Sequence, residues 1–123
     1  LYGIPNPDEN RVNRLIRRMG LEEKVRFANG KFSTLSLSAG QRKRLALVAA
    51  MVEDRPICLF DEWAAEQDPH FRRYFYETLL PEFRDHGKIV IAVTHHDQYF
   101  HLADRVVKME YGQMSESDEI LSR

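Results

Sequence analysis

A single cysteine, Cys58, excludes an internal disulfide framework and suits a reducing compartment, where a thiol inside an apolar run packs as a small hydrophobe. No stretch approaches the roughly 20 apolar residues of a membrane span, and no basic-then-apolar leader opens the chain, so the sequence reads as a soluble one. Charge of one sign is not in excess either. With 18 basic and 19 acidic residues the net charge is −1, which offers no bulk attraction to nucleic acid or to an anionic membrane. Internal repeats and low-complexity segments are absent. The first residue is Leu1 rather than Met, as expected of a piece of a longer protein. What is present, 43% hydrophobic and 30% charged residues over 123 positions, fits one domain with a modest core.

The most informative stretch runs from Leu35 to Leu47, LSLSAGQRKRLAL. Ser38 is a good N-cap, and Gln41 three positions later completes a Ser-x-x-Gln capping box, so the pattern predicts a helix beginning here. Its first turn has unpaired N–H groups and the positive end of the helix dipole, yet Arg42, Lys43 and Arg44 add positive charge. Gly40 removes a side chain where a ligand could approach. Two readings follow: a phosphate site on a helix N-terminus, or an ordinary capped helix with a solvated basic turn.

Upstream, LYGIPNP over residues 1–7 predicts an irregular opening segment. Asp8 then caps a helix with Val12, Leu15, Ile16 and Met19 at helical spacing, ended by Gly20. A second short helix is predicted from Leu21 to about Ala28, with Leu21, Val25 and Phe27 inward, before an Asn29-Gly30 turn. The helix that starts at Ser38 is apolar nearly all round through Val52 and is expected to be buried. Ile57 to Phe60 then reads as a central strand covered on both faces, ending in Asp61 and Glu62. Asp68 and Pro69 start a further helix through about Asp85, with Phe71, Phe75, Leu79 and Phe83 on one stripe and Pro81 as a possible kink. After Gly87, KIVIAVT over residues 88–94 is a second buried strand, and the strand, helix, strand order predicts a parallel crossover. That crossover sets His95 beside the carboxylates. A short helix from Asp97 to about Ala103, a strand from Arg105 to Glu110, a Tyr111-Gly112 turn and a polar tail from Ser115 follow.

Asp61 and Glu62 at a strand's carboxyl end suit phosphoryl chemistry, one holding hydrated Mg²⁺ and the other polarising a water. The same pair also fits a solvated loop. His95, His96, Asp97 and His101 invite a metal reading, but the sequence supplies no second cluster of ligands. Phe71, Tyr74, Phe75 and Tyr76 with Arg72 and Arg73 could stack single-stranded nucleic acid. Their helical spacing and the near-zero net charge favour a core stripe with a basic outer face, and no nucleic acid partner is expected.

In order, these motifs resemble the nucleotide-binding domain of ATP-binding cassette (ABC) proteins. Leu37, Ser38, Ala39, Gly40 and Gln41 are similar to the signature motif, Ile57 to Glu62 to Walker B, Ala65 to Asp68 to the D-loop, and His95 to the switch histidine. The resemblance implies an α/β fold, a partial P-loop NTPase-type parallel sheet with a small N-terminal helical subdomain. Residues 1–36 would belong to the helical subdomain and residues 37–123 to the carboxyl-terminal part of the ATPase core. It further implies ATP and Mg²⁺ as cofactors, Glu62 as general base, Asp61 supporting Mg²⁺ through water, and His95 sensing the γ-phosphate. Ser38 and Gly40 would contact an ATP held mainly by an opposite subunit, and Asp68 would link two sites across a dimer. Ala39 replaces the more usual glycine.

The wording DEWAAEQDPHFRRYFY from Asp61 resembles exporters of cyclic peptides and peptide siderophores, with Trp63, Glu66 and Gln67 departing from the commoner ProThrSerAlaLeu. Such a protein would pair two nucleotide-binding domains, carry a fused or associated transmembrane domain, work at the cytoplasmic face of the membrane and move a peptide-like cargo. Alternatives are a non-catalytic dimerisation or regulatory fragment, and a cassette ATPase not linked to transport. No GxxxxGK[ST] occurs, and the Gln loop and adenine-stacking aromatic of the resemblance are also missing. Alone, this chain is therefore expected to bind ATP weakly or not at all.

Overall fold

The computed structural model describes residues 7–116, so the expected irregular opening before Pro7 and the polar tail beyond Glu116 lie outside the described residues. The chain divides into two compact units at the junction of Cys58 and Leu59.

In the first unit, helix α1 (Glu9–Arg18) starts where Asp8 accepts hydrogen bonds from the backbone N–H groups of Asn10 and Arg11. Val12, Ile16 and Met19 are buried, as their spacing requires. The second short helix expected from Leu21 does not form. A single turn, with the Val25 N–H on the Leu21 carbonyl at 2.9 Å, gives way to an antiparallel hairpin of β1 (Phe27–Ala28) and β2 (Lys31–Phe32). Two causes outweigh helical periodicity. Asn29 and Gly30 both adopt positive φ, the geometry of a two-residue hairpin turn. Asn13 of α1 also brackets Phe27, its Nδ2 donating to the Phe27 carbonyl at 2.8 Å and its Oδ1 accepting the Phe27 N–H at 2.9 Å. Leu21, Val25 and Phe27 still point inward and are buried.

Helix α2 (Ala39–Glu53) begins as expected at Ser38 and ends at Asp54, whose φ of 54° turns the chain out of the helix. Only Leu45, Leu47, Val48 and Val52 are buried, while Ala46 is exposed, so α2 has one packed side and is not buried all round. Its alanines make the sequence look uniformly apolar without needing a covering partner.

The second unit holds β3 (Ile57–Asp61) from Leu59 onward, a 3₁₀ turn (Trp63–Glu66), helix α3 (Pro69–Tyr74), a π turn (Phe75–Leu79), helix α4 (Leu80–Asp85) and β4 (Ile89–Val93). Asp68 caps α3, its Oδ1 accepting the Phe71 N–H at 2.9 Å, with Pro69 at the first helical position. Pro81 neither breaks nor ends the helix. Proline lacks an N–H and crowds the preceding turn, and the ladder widens just upstream, where the Leu80 N–H reaches the Phe75 carbonyl five residues back. The stripe of Phe71, Phe75, Leu79 and Phe83 is buried. Phe75 stacks on Trp63 with ring centres 4.3 Å apart and meets Phe60 edge-on at 5.4 Å.

Strands β3 and β4 form the expected parallel pair. Phe60 faces this aromatic core, but Leu59, Ile89, Ile91 and Val93 are between 49% and 65% exposed. The prediction of strands covered on both faces therefore holds for one face of β3 only, while in β4 Val90 is half-buried and the other four residues are exposed. The short helix expected from Asp97 forms as a 3₁₀ helix (Asp97–Leu102). Of the polar tail expected from Ser115, the described residues Ser115 and Glu116 are paired: β5 (Val107–Glu110) and β6 (Gln113–Glu116) make an antiparallel hairpin across Tyr111 and Gly112, both at positive φ.

Candidate functional site

The signature-like run lies in the first unit, at the start of α2. Ser38 Oγ accepts the Gln41 N–H at 3.1 Å and Gln41 Oε1 accepts the Ser38 N–H at 2.9 Å, a complete capping box. Ser38 and Ala39 are exposed, and Leu37, Gly40 and Gln41 are half-buried, so the start of the helix reaches the surface. Arg44 turns away from that end, its Nη1 donating to the Met19 carbonyl at the close of α1 at 3.1 Å. Arg42 is exposed.

In the second unit the chemistry gathers at the carboxyl ends of β3 and β4. The Glu62 N–H donates to the Val93 carbonyl at 2.8 Å, which locks the two strand ends together. Glu62 itself sits at φ 50°, ψ 37°, a left-handed conformation that costs a side-chain-bearing residue about 1 kcal/mol. Its Oε1 lies 2.8 Å from His95 Nε2, with the Glu62 side chain 46% and the His95 side chain 90% exposed. A carboxylate and an imidazole in contact, open to solvent at the end of a parallel pair, can accept and donate protons to a bound oxygen ligand.

Asp61 is exposed and has no hydrogen-bond or ion-pair partner among the described residues. Among those residues no group of three or more His, Cys, Asp and Glu side chains is arranged to hold a metal ion. A lone open carboxylate does fit Mg²⁺, which keeps most of its waters and binds through one or two carboxylates plus phosphate oxygens. Asp68, besides capping α3, is exposed.

Several groups around this site escape a reading of the sequence. Tyr76, read as a core aromatic, is buried, but its hydroxyl lies 2.6 Å from Thr94 Oγ1 and 2.9 Å from His96 Nδ1. Burial pushes the Tyr76 phenol up, against the hydrogen bond from Thr94. His96 is held below the ordinary imidazole value by burial first, then by the charges of Arg72 and His95, with Glu62 opposing. Arg72 does not lie on a solvated basic face. It folds back so that Nη2 donates to the Gln67 carbonyl at 3.2 Å and Nε to that of Ala64 at 3.4 Å, holding the 64–67 segment against α3. Arg73 does face outward, paired with Glu77 at 2.9 Å. No short motif marks these pairings; only the placement of a Thr and a His on either side of His95 hints at them.

Comparison with known proteins bears on the family and the fold. A family model described as ABC transporter matches residues 5–65. ATP-binding protein SyrD of Pseudomonas syringae pv. syringae is 51% identical over 108 residues, covering 87% of this chain and 19% of that protein. The ATP-dependent lipid A-core flippase of Chromohalobacter salexigens is 31% identical over 122 residues, covering 94% of this chain and 21% of its own length. The chain thus spans about a fifth of the length of these two curated relatives. In fold it is similar to a metal-chelate type ABC transporter solved in an inward-facing conformation, with a TM-score of 0.67, 15% identity, and coverage of 95% of this chain and 47% of that one. The chain belongs to the ABC transporter family, as part of an ATP-binding domain.

Proposed function

We propose that this segment supplies the hydrolytic edge of an ATP site in a transport ATPase. The observation that carries the reading is the 2.8 Å contact between Glu62 and His95 at the joined ends of β3 and β4. Glu62 is the general base that takes a proton from the attacking water, and His95, opposite it, donates to a phosphate oxygen as charge builds there. Asp61, open to solvent beside them, is the residue that would hold Mg²⁺ through water. Bound Mg²⁺ would neutralise phosphate charge.

The capped end of α2 serves a different ATP. Its backbone N–H groups, Ser38 and Gly40 face the γ-phosphate of a nucleotide held by a second ABC domain, so two complete domains form two composite sites. Asp68, the cap of α3 that follows the 3₁₀ turn after Glu62, lies on the surface that meets the second domain. In this reading residues 1–36 belong to the helical subdomain and residues 37–123 to the ATPase core. The sequence has no GxxxxGK[ST], so the loop that cradles the phosphates must come from outside this chain.

Energy from hydrolysis drives a transmembrane domain, placing this segment at the cytoplasmic face of a membrane. No helix among the described residues is itself long and apolar enough to cross one. The wording after Glu62 favours a peptide-like cargo. In the complete protein, Glu62→Gln is expected to keep ATP binding while steady-state ATP hydrolysis falls by roughly 100-fold or more, the scale of a lost general base. Hydrolysis near the wild-type rate in that variant would overturn the assignment.

A further inference from the structure

We propose that Tyr76 is a positioning residue for His95. The proposal rests on the reading of Glu62 and His95 as a hydrolytic pair and adds the group that holds the pair in register. His95 is 90% exposed, so apart from the Glu62 contact no packed side chains fix its ring, and the placement of the residue depends on the backbone on either side. Both of its neighbours are tied to the same hydroxyl. The Tyr76 oxygen lies 2.6 Å from Thr94 Oγ1 and 2.9 Å from His96 Nδ1. Thr94 Oγ1 also accepts the His96 N–H at 3.0 Å and lies 3.2 Å from His96 Nδ1, which closes a ring of contacts around the residue between them. On the far side, the Asp97 N–H donates to the His95 carbonyl at 2.9 Å.

Tyr76 is a firm anchor for this ring. It is buried on the π turn of the helix that joins β3 to β4, stacks on Tyr99 at 4.5 Å, and meets Phe75 and His96 edge-on. With His96 neutral and its Nδ1 unprotonated, the hydrogens distribute without conflict: Thr94 donates to Tyr76, Tyr76 donates to His96, and the His96 N–H returns to Thr94. Burial and the nearby charges of Arg72 and His95 favour that neutral form. The core is therefore linked to both neighbours of an exposed histidine through one phenol, and loss of the hydroxyl unties both flanks of His95 from Tyr76 without opening a cavity.

Steady-state ATP hydrolysis by the complete protein tests this with Tyr76→Phe, which keeps the ring and its stacking. The expected result is a fall in kcat of about 10-fold to 100-fold, with KM for Mg-ATP changed less than about twofold, because a displacement of about 1 Å at a reacting group costs rate rather than ground-state binding. A second pair separates positioning from general structure. His96→Asn, whose side-chain oxygen can take the place of Nδ1, is expected to keep most of the turnover, whereas His96→Leu behaves like Tyr76→Phe. Turnover in Tyr76→Phe within about twofold of wild type, or equal losses in His96→Asn and His96→Leu, would overturn the proposal. Glu62→Gln run alongside distinguishes the failures. If it abolishes hydrolysis while Tyr76→Phe has no effect, only the positioning role falls; if it leaves hydrolysis intact, the hydrolytic pair and the positioning role fall together.

Discussion

The Nη1 of Arg44 donates to the carbonyl oxygen of Met19 at 3.1 Å, so one of the three cations after the LSAGQ run is engaged at the end of the preceding helix. The hydrogen bond also explains how α1 closes, since the last carbonyls of a helix have no partner within it. Arg44→Ala is expected to lower the stability of the chain by about 1 to 2 kcal/mol, the scale of a part-buried hydrogen bond from a charged donor. Urea denaturation followed by circular dichroism measures it. An unchanged midpoint would mean the Met19 carbonyl is equally well served by water.

His96 gives the chain a pH dependence whose sign follows from its surroundings. Burial, Arg72 and His95 hold its folded-state value below the ordinary 6.5 or so, against the pull of Glu62. Between that lowered value and about 6.5 the unfolded chain binds more protons than the folded one, so stability falls as the pH drops through this window. Melting temperature measured from pH 7 to pH 5 is expected to fall more steeply in the wild type than in His96→Asn. Parallel slopes would assign the pH dependence to other groups.

Leu59, Ile89, Ile91 and Val93 leave one face of the β3–β4 pair apolar and open. Contiguous apolar surface on a sheet favours association. Sedimentation of the chain at rising concentration is expected to show self-association, and Leu59→Lys combined with Ile91→Lys is expected to reduce it. A wild-type chain that stays monomeric throughout would show that this face is tolerated by water.

Much of this architecture was legible in the residues because local signals agreed. Ser38 with Gln41, Asp8, and Asp68 with Pro69 mark the three helix starts, and all three caps are made. The aromatic stripe from Phe71 to Phe83 has a clear helical period and is buried. Where the sequence misled, a distant or cooperative partner decided the outcome. Leu21 to Ala28 has helical spacing, but Asn13 takes both backbone groups of Phe27 and so favours the hairpin. The residues of β4 read as buried because apolar strands in parallel sheets usually are, and that inference presumes a cover which the chain does not itself provide. Of the candidate site, Asp61, Glu62 and His95 could be singled out from type and order, and Glu62 and His95 do lie in contact. Tyr76 and Arg72 could not, because their partners are set by the π turn and by backbone carbonyls that no residue pattern encodes.

The chain by itself lacks a GxxxxGK[ST] phosphate loop. Calorimetric titration of the 123-residue chain with Mg-ATP is expected to show no binding tighter than about 1 mM, about −4 kcal/mol. Micromolar binding would mean that residues described above cradle the nucleotide unaided.

The most direct test of a composite site is ATP-dependent dimerisation of the complete ATP-binding domain carrying Glu62→Gln, followed by light scattering. With hydrolysis blocked, added Mg-ATP is expected to convert the domain to dimers. Adding Ser38→Arg, which places a bulky side chain at the exposed start of α2, is expected to return it to monomers. Dimers that persist with Ser38→Arg would contradict the claim that the helix end at Ser38 completes a nucleotide site in a second subunit.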